Sequence, residues 1–383
     1  MKITYYFLFL LCLCLLASCA AETVPPSVSY EQASSPHASE TASSEPVESS
    51  AVEEPEPPAL TMTQVSTVND NFLNESAFAD FLRDSEKYAF IPGLREGIVP
   101  QGIACNPQTG YVYISAYFTT EDTPSVILVL DETGTFVAEY HMYRENGEPY
   151  TGHMGGICAT ESHLYFSGPN AEGGYYGIGE LAFADLPAKG AHDITIKSVV
   201  GLPIHASYLF YDGGKLWAGT FYLKGSYDTG KYFDALLPNG DGGVYGGYAA
   251  MFAVDEGGRL VPAEGELYAV PELILSTPDK VQGFAYRDGK IALSISYGRN
   301  NNSKLDFFEI DPEDAESTVT ADGKTYPLIT LNSKNRTKAV TAMGMTEGLA
   351  LSTHGDLLIL FESGAQKYSN AKNPTDSIWR MQF

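Results

Sequence analysis

Basic residues are scarce in this sequence. Among 383 residues there are 23 Lys and Arg against 48 Asp and Glu, so the formal net charge is −25. Proteins that bind nucleic acid use Lys and Arg to replace the counterions of the phosphates, so this balance argues against that class of partner. Charged residues make up only 19% of the chain and hydrophobic ones 44%. Such a chain can build a sizeable core, which excludes wholesale disorder.

Common catalytic motifs are also missing. The sequence has no Gly-x-Ser-x-Gly nucleophile elbow and no His-Glu-x-x-His zinc motif, and Asp241-Gly242-Gly243 lacks the Lys and Ser or Thr of a phosphate loop. The abundant residues are Gly (37), Tyr (25) and Phe (19). This composition is typical of a β protein with many turns.

The first 19 residues are typical of a bacterial lipoprotein signal peptide. Lys2 precedes an apolar run over residues 5–17, which is too short to span a bilayer comfortably. The run ends in LASC at residues 16–19, which resembles the lipobox that is cleaved before its cysteine. We therefore expect Cys19 to carry diacylglycerol and acyl chains such as palmitate, and to anchor the protein on the extracytoplasmic face of the cell membrane. The alternative is an ordinary signal peptide with an incidental cysteine.

An acidic segment follows this leader. Residues 20–60 contain eight Glu, nine Ser and seven Pro, and no Lys, Arg or Asp. Such a segment cannot bury enough apolar surface to order itself, so we expect a disordered tether over residues 20–68 and a folded domain over residues 69–383. Lys2 contributes +1 to the net charge, residues 20–60 contribute −8 and residues 61–383 contribute −18. The folded domain is therefore acidic in its own right.

One sequence pattern occurs five times in the folded domain. Each copy has a small residue, apolar residues, a turn rich in Gly, Asp or Asn and an alternating apolar strand, and its second residue lies at 102, 156, 207, 283 or 348. Each copy predicts a β-hairpin, and more strands follow it. Four antiparallel strands per repeat, arranged radially, form a β-propeller. We therefore predict an all-β fold, a five-bladed β-propeller, with six blades as the alternative if residues 225–260 contain a degenerate blade.

The fifth repeat is one strand short because the chain ends. We expect the strand at 88–91 to supply it, so that an N-terminal strand closes the ring, and a short helix at about 75–86 to precede that strand. The strands predicted to complete the other blades are 126–130 and 136–143, 177–182 and 194–200, 249–254 and 268–274, and 305–310 and 326–331.

Two cysteines, Cys105 and Cys158, remain in the folded domain once the signal peptide and Cys19 are set aside. They fall on equivalent strands of successive repeats but one place out of register. In a pleated strand that puts them on opposite faces. We expect two buried free thiols rather than a disulfide.

The repeat brings polar and aromatic residues to one mouth of the central channel. Two sets of residues gather there: the openers, which begin each innermost strand, and the closers, which end the strand that follows it. Such a concavity is the default candidate site. The openers are Gln101, Gly155, Ala206, Gln282 and Glu347, with His153 and His205 before two of them, and the closers include Tyr117, Asn170, Phe221, Ser296, Tyr297, Arg299 and Glu362. The candidate ligand-binding residues are Gln101, His153, His205, Gln282, Tyr297, Arg299 and Glu347.

Glu347 and Glu362 belong to the same blade and are the candidate catalytic residues, with Glu347 also the candidate metal ligand. Paired carboxyl groups carry out acid–base chemistry or hold calcium. The alternative is that Glu347 is a polar channel residue held by amides or by Arg299. His153 and His205 likewise have an alternative role as hydrogen-bonded structural histidines.

Several short segments resemble a family of uncharacterised secreted or lipid-anchored bacterial propellers. They are Pro100-Gln101-Gly102, Pro124-Ser125-Val126, Thr151-Gly152-His153-Met154-Gly155-Gly156, Val281-Gln282-Gly283, Ser296-Tyr297-Gly298-Arg299, Thr346-Glu347-Gly348 and Leu360-Phe361-Glu362-Ser363-Gly364. This resemblance implies a propeller fold and no particular activity. Glu347-Gly348 also resembles, more loosely, the gluconolactonase-like and NHL-like propellers, in which a glutamate before a glycine binds a divalent metal. That second resemblance implies a divalent metal at Glu347, and with the paired carboxyl groups it makes Ca²⁺ the candidate cofactor.

Two functions fit these features. The first is a lipid-anchored, monomeric binding module that holds an extracellular ligand, such as a glycan, a small molecule or another envelope component, at the channel mouth. The second is a divalent-metal-assisted hydrolase, lactonase-like or glycosidase-like, that uses Glu347 and Glu362.

Overall fold

The computed structural model describes residues 56–383, apart from residues 229–231, 234, 235 and 316. The predicted signal peptide with Cys19, and the predicted tether up to residue 55, lie outside the described residues. Within the described part of the chain, no helix is both long and apolar enough to cross a membrane.

The described residues form one short α-helix, several 3₁₀ turns and 25 strands. They begin with 3₁₀ turns at Asn71–Asn74 and Ser76–Phe78, α1 (Ala79–Asp84) and β1 (Ser85–Phe90). Next come β2 (Ile98–Cys105), β3 (Val112–Phe118), β4 (Val126–Leu130), β5 (Phe136–Arg144), β6 (Ile157–Ala159), β7 (His163–Ser167), β8 (Tyr176–Ala182), β9 (Gly190–Ile196) and β10 (Ser198–Leu202). They continue with β11 (Tyr208–Asp212), β12 (Lys215–Gly219), β13 (Leu237–Pro238), β14 (Val244–Tyr245), β15 (Gly247–Ala253), β16 (Leu273–Thr277), β17 (Val281–Arg287) and β18 (Lys290–Ile295). The last are β19 (Ser303–Glu309), β20 (Ser317–Ala321), β21 (Lys324–Thr330), β22 (Arg336–Ala342), β23 (Thr346–Leu351), β24 (Asp356–Phe361) and β25 (Ser377–Gln382), with a 3₁₀ turn at Gln366–Tyr368 between β24 and β25.

These strands form the five blades of a propeller. From the inside outwards the blades are β2-β3-β4-β5, β6-β7-β8-β10, β11-β12-β15-β16, β17-β18-β19-β22 and β23-β24-β25-β1, each antiparallel. The innermost strands contact one another around the axis. The five-bladed prediction is confirmed, and the alternative of six blades is wrong, because the described residues of 225–246 contribute only the two-stranded ribbon β13–β14.

The ring closes through the N-terminal strand, as predicted. β1 pairs antiparallel with β25, with Lys87 opposite Trp379 and Phe90 opposite Ser377. The preceding helix is shorter than the predicted 75–86, because 3₁₀ turns occupy residues 71–78. Phe81 of this helix is fully buried, with its ring centroid 5.3 Å from that of Trp379. The helix therefore covers the fifth blade, which β1 completes.

For two outer strands, the sequence analysis predicted the wrong blade. Residues 190–196 form β9, which pairs parallel with β5 and extends the first blade, so the second blade ends with β10 instead of a strand at 194–200. Residues 324–330 form β21, which pairs parallel with β16 and extends the third blade, so the fourth blade ends with β22. A third strand is displaced, because β16 covers Leu273–Thr277 rather than 268–274.

The core lies between neighbouring blades. Tyr208 of the third blade stacks on Phe284 of the fourth with centroids 6.0 Å apart and planes within 11°, and the buried Trp217 lies 5.2 Å from the same ring. Such rings bury much apolar area each, so each blade is held mainly by the faces it shares with its neighbours. Neither Cys105 nor Cys158 is in a disulfide, as predicted, although only Cys158 is fully buried.

Glycines on the innermost strands allow these strands to approach one another. A Cβ on Gly102 would lie 2.6 Å from the Gly155 carbonyl oxygen, and one on Gly283 would lie 2.6 Å from that of Glu347. Only glycine tolerates a backbone this close. The channel is filled at this level, so the mouth above it has a floor.

Residues 61–68, which the sequence analysis placed at the end of the tether, contact the blades. The Thr61 amide donates to the Glu139 carboxylate at 2.9 Å, and Met62 is 6% exposed. The amides of Thr67 and Val68 donate to Asp376 Oδ2 at 2.7 and 3.1 Å. This segment therefore lies along the propeller rather than away from it.

Candidate functional site

A cavity of about 510 Å³ opens at one end of the channel, and residues of all five blades line it. All eight candidate residues are among the lining residues: Gln101, His153, His205, Gln282, Tyr297, Arg299, Glu347 and Glu362. The predicted closers Tyr117, Phe221 and Ser296 also line the cavity, whereas Asn170 does not. The repeat therefore does bring the openers and most closers together.

The openers point into the cavity because the inner strands are irregular at these residues. The pairing register shifts at Gln101, at Gln282 and across Glu347-Gly348. A β-bulge leaves one residue unpaired and re-aims its side chain. Lys280 and Met345, two residues before Gln282 and Glu347, have φ of 67° and 66°, a left-handed conformation that non-glycine residues seldom adopt. The entrance to these two strands is therefore held in one particular shape.

Serine hydroxyls join adjacent blades directly below the mouth. Ser115 donates to the Met154 carbonyl at 2.7 Å, and Ser294 donates to the Glu347 carbonyl at 2.5 Å. Each bond runs from the second strand of one blade to the opener region of the next. The bonds therefore fix the openers of neighbouring blades relative to one another, and the sequence pattern alone did not reveal them.

Glu347 and Glu362 form a hydrogen-bonded carboxyl pair on the floor of the cavity. Burial, and then the charge of Glu362, raise the pKa of Glu347 well above its usual range. Burial also raises the pKa of Glu362, although hydrogen bonds from neighbours, including one from Glu347, oppose this. Two adjacent carboxyl groups cannot both ionise in a buried site, so the pair keeps one proton, which we place on Glu347.

Amides and a phenol hold this pair. Gln282 Nε2 donates to Glu347 Oε1 at 3.1 Å, and Gln101 Nε2 donates to Glu362 Oε2 at 3.3 Å. The Tyr368 hydroxyl also hydrogen-bonds to Glu362. Donors to Glu362 favour its ionised form, so the single negative charge of the pair lies there.

Both candidate histidines are solvent-exposed, but the protein around them lowers their pKa values and both are neutral at pH 7. Desolvation, with the charge of Lys367, lowers the pKa of His153, and desolvation lowers the pKa of His205. His153 stacks on Tyr117 with centroids 4.3 Å apart and planes within 12°, and His205 Nδ1 lies 3.4 Å from the Ser207 hydroxyl. These contacts fit the structural alternative for both residues while leaving their rings in the cavity wall.

Aromatic side chains form the rim. Tyr297 is 47% exposed and Tyr227 is 57% exposed, and both lie close to Phe221, with centroid distances of 6.3 and 5.4 Å. Tyr227 is the tyrosine of the 225–248 stretch that reaches the cavity, whereas Tyr232 is buried in the third blade. The rim thus presents ring faces to solvent beside a polar floor.

A second, more open concavity of about 460 Å³ adjoins the first. The two share Tyr117, His153 and Lys367, and the second also has Glu121 and Asp122 in its wall. The stacked pair Tyr117–His153 therefore separates two connected hollows, and a ligand longer than one ring has room to continue past it.

Sequence reasoning missed two residues of the site, Lys367 and Tyr368. Lys367 Nζ donates to the Tyr117 hydroxyl at 2.7 Å, and the Arg299 guanidinium lies 4.9 Å from the centre of the Tyr368 ring. Both missed residues lie on the 3₁₀ turn Gln366–Tyr368, outside the repeat. The one available signal was the position of this turn directly after the last inner hairpin.

Comparisons with known proteins add little to this geometry. No family model matches the chain, and no curated protein matches it. Among solved structures it is similar to the PQQ-bound aldose sugar dehydrogenase of Streptomyces coelicolor, with 14% identity, TM-score 0.36, and 85% of this chain and 99% of that one covered. It is also similar to a GH43_1 enzyme of Xanthomonas citri, with 13% identity, TM-score 0.41, and 77% and 89% covered. A third is the β-propeller domain of Cps50 (Swd1) of Myceliophteria thermophila, with 8% identity, TM-score 0.36, and 78% and 99% covered.

These similarities are too distant to assign a function. The fold rests on the strand pairing described above, and the function has to be argued from the cavity itself.

Proposed function

We propose that this protein binds an extracellular glycan at the channel mouth, while a lipid on Cys19 holds it on the extracytoplasmic face of the cell membrane. The observation that carries the proposal is the cavity of about 510 Å³ to which all five blades contribute aromatic rings, amides and hydroxyls. A sugar ring has apolar C–H faces and a rim of hydroxyl groups. Aromatic rings pack against the faces, and amides and carboxyls exchange hydrogen bonds with the rim.

The amides of the floor support this function. Gln101 and Gln282 use Nε2 to hold the carboxyl pair, and their Oε1 atoms accept no hydrogen bond from the described residues. These oxygens are therefore free to accept from ligand hydroxyls. The exposed rings of Tyr227 and Tyr297 stand at the rim, where one face of a sugar can stack.

The test is binding to a glycan array, followed by calorimetry with the oligosaccharides that bind. We expect Gln282→Ala and Tyr297→Ala each to weaken binding by about 1–2 kcal/mol, from a lost hydrogen bond or a lost stacking contact. Phe90→Ala is the matched control, because it removes an exposed aromatic ring from the outermost strand of the fifth blade. No binding to any glycan, or binding that neither mouth variant changes, would overturn the proposal.

The anchor has its own test. Cells that express the protein and are fed an alkyne analogue of palmitate should incorporate it into the wild-type chain. Cys19→Ala should incorporate none and should leave the membrane fraction. Equal labelling of both chains would show that the lipid is attached elsewhere.

A hydrolase that uses Glu347 and Glu362 is the second candidate, because a carboxyl pair that keeps a proton can serve as acid and base. Glycosidases, however, separate their carboxyls by roughly 5–9.5 Å, whereas these two are hydrogen-bonded to each other. Calcium fits poorly as well. It prefers six to eight oxygen ligands, and in residues 56–383, apart from 229–231, 234, 235 and 316, no group of three or more His, Cys, Asp and Glu is placed to hold a metal.

The metal version of this candidate has a simple test. A bound ion stabilises the native state, so millimolar CaCl₂ should raise the melting temperature of the wild-type protein and not that of Glu347→Gln. Absence of the rise would remove this version.

A further inference from the structure

Two positive charges, Arg299 and Lys367, line the cavity without a direct ion pair, although the charge of Lys367 is near enough to lower the pKa of Glu362. In the described part of the chain, no carboxylate oxygen lies within 4.0 Å of the charged nitrogens of Arg299 or Lys367. The Arg299 guanidinium lies 4.9 Å from the centre of the Tyr368 ring, and Lys367 Nζ lies 5.4 Å from the same centre. Two like charges against one ring repel each other, and a bound anion would relieve that repulsion.

The cavity as a whole has a charge opposite to that of the domain. Residues 61–383 contribute −18 to the formal charge. The cavity, in contrast, contains Arg299 and Lys367, a single negative charge shared by Glu347 and Glu362, and neutral histidines. Its net charge is therefore positive by one unit. That balance matches a ligand with one negative charge on the bound unit, such as a carboxylate, better than it matches a dianion.

Both cations are already positioned. Arg299 Nη1 donates to Asn370 Oδ1 at 3.0 Å, and Lys367 Nζ donates to the Tyr117 hydroxyl at 2.7 Å. Each keeps further N–H donors for a ligand. A side chain that is held in place before binding loses less conformational entropy when the ligand arrives.

From these observations we infer that the ligand is an acidic oligosaccharide, whose monoanionic group is bound by Arg299 and Lys367 beside Tyr368. This inference rests on the proposed function and specifies its ligand. The sugar hydroxyls then meet the amides and the carboxyl pair on the floor. The acidic side chains Glu121 and Asp122 line only the adjoining hollow, so the anionic group belongs in the main cavity.

The test compares the same sugar with and without its charge. Tetrasaccharides of galacturonic acid, of alginate and of hyaluronan are measured by calorimetry as free acids and as methyl esters. An oligosaccharide of neutral sugars is also measured with and without one sulfate ester, to distinguish a carboxylate from other monoanions. We expect at least one free acid to bind with a Kd about ten- to hundredfold lower than that of its ester, because the acid forms a charge-assisted hydrogen bond that the ester lacks. Rising NaCl should weaken binding of the acid and not of the ester.

Substitutions assign the preference to the two cations. Arg299→Gln and Lys367→Gln should each reduce binding of the acid about tenfold and binding of the ester much less, and Arg299→Lys should restore part of the preference. Lys290→Gln is the control, because it removes one positive charge at the opposite end of β18. Melting temperatures confirm that every variant is folded.

The outcomes separate the two claims. If no free acid binds better than its methyl ester and the sulfated oligosaccharide binds no better than the unsulfated one, or if the preference survives in both Gln variants, the inference of an anionic ligand is overturned while glycan binding stands. A preference for the sulfated oligosaccharide alone would overturn the assignment of the monoanionic group as a carboxylate. If neither acids, esters nor neutral glycans bind, the proposed function fails and the inference fails with it.

Discussion

Replacing Glu347 by glutamine should remove a pH dependence from the stability of this protein. Burial raises the pKa of Glu347 in the folded state above its unfolded value, so folding takes up a proton there. Below the unfolded pKa both states are protonated and the carboxyl costs nothing. Above the unfolded pKa, the Glu347 carboxyl ionises in the unfolded chain, which lowers the free energy of that state, but it stays protonated in the folded chain. Stability therefore falls as the pH rises, until the pH passes the folded pKa.

The size of this effect follows from one proton. Over that window the free energy of unfolding drops by at most about 1.4 kcal/mol for each pH unit. With an unfolding entropy of about 2.1 cal/mol/K for each residue, a domain of the described size, residues 56–383, loses about 2 °C of melting temperature for each pH unit. The amide of the Glu347→Gln variant would donate to Glu362 as the protonated carboxyl does and would accept from Gln282, so the variant keeps the network without the penalty.

The assay is thermal or urea unfolding of wild type and Glu347→Gln from pH 5 to pH 8. Carboxyl groups outside the Glu347–Glu362 pair contribute equally to both proteins, so the difference between the two curves isolates the pair. We expect the variant to gain on the wild type steadily as the pH rises. Glu121→Gln, at the exposed rim, should follow the wild type throughout. A variant that is less stable by the same amount at every pH would show that the pair does not hold a proton.

Three further perturbations test other parts of the structure. Gly283→Ala places a Cβ 2.6 Å from the Glu347 carbonyl and should lower the free energy of unfolding by about 1–3 kcal/mol, measured in urea. Cys105 and Cys158 should both react with a thiol reagent after unfolding but slowly in the native state, since burial raises the pKa of Cys105 to about 11; detection of no free thiol would contradict this. Asp376 is buried, which opposes ionisation, but the amides of residues 67 and 68 and two serine hydroxyls hold its pKa below the usual range. Its contribution to stability is present above about pH 4 and lost as the pH falls further, so Asp376→Asn should destabilise at pH 7, expose residues 61–68 to protease and flatten the acid limb.

The inner part of each blade was predictable because its signal is local. Alternation and a turn identify a hairpin within one short stretch of sequence, and so the inner strands and the closing strand were found. The outer strands β9 and β21 were assigned to the wrong blades. Each of them pairs in parallel with a strand of the preceding blade, across a long connection. The local sequence determines strand type, whereas the choice of partner depends on packing that no short window contains.

The same limit explains which site residues were found. Glu347 and Gln282 open inner strands, so their place in the repeat was enough to predict that they meet. Lys367 and Tyr368 lie on a turn outside the repeat, and no periodicity links them to Arg299, which belongs to the preceding blade. Their absence from the sequence analysis mattered chemically, because without Lys367 the mouth would be taken for a neutral or acidic site.

The net charge of a protein is therefore a weak guide to the ligand of its cavity. A charge of −25 argues against extended polyanions such as nucleic acid, whose binding needs many cations over a wide surface. It does not exclude one carboxylate bound deep in a concave mouth, because at physiological ionic strength charges more than about 8 Å away are largely screened and the nearest groups decide. Here the nearest groups are two cations and a carboxyl pair that has given up half of its charge by keeping a proton. Under the inference of an acidic ligand, we expect the acidic exterior to repel long polyanions and a short acidic sugar to reach Arg299 and Lys367.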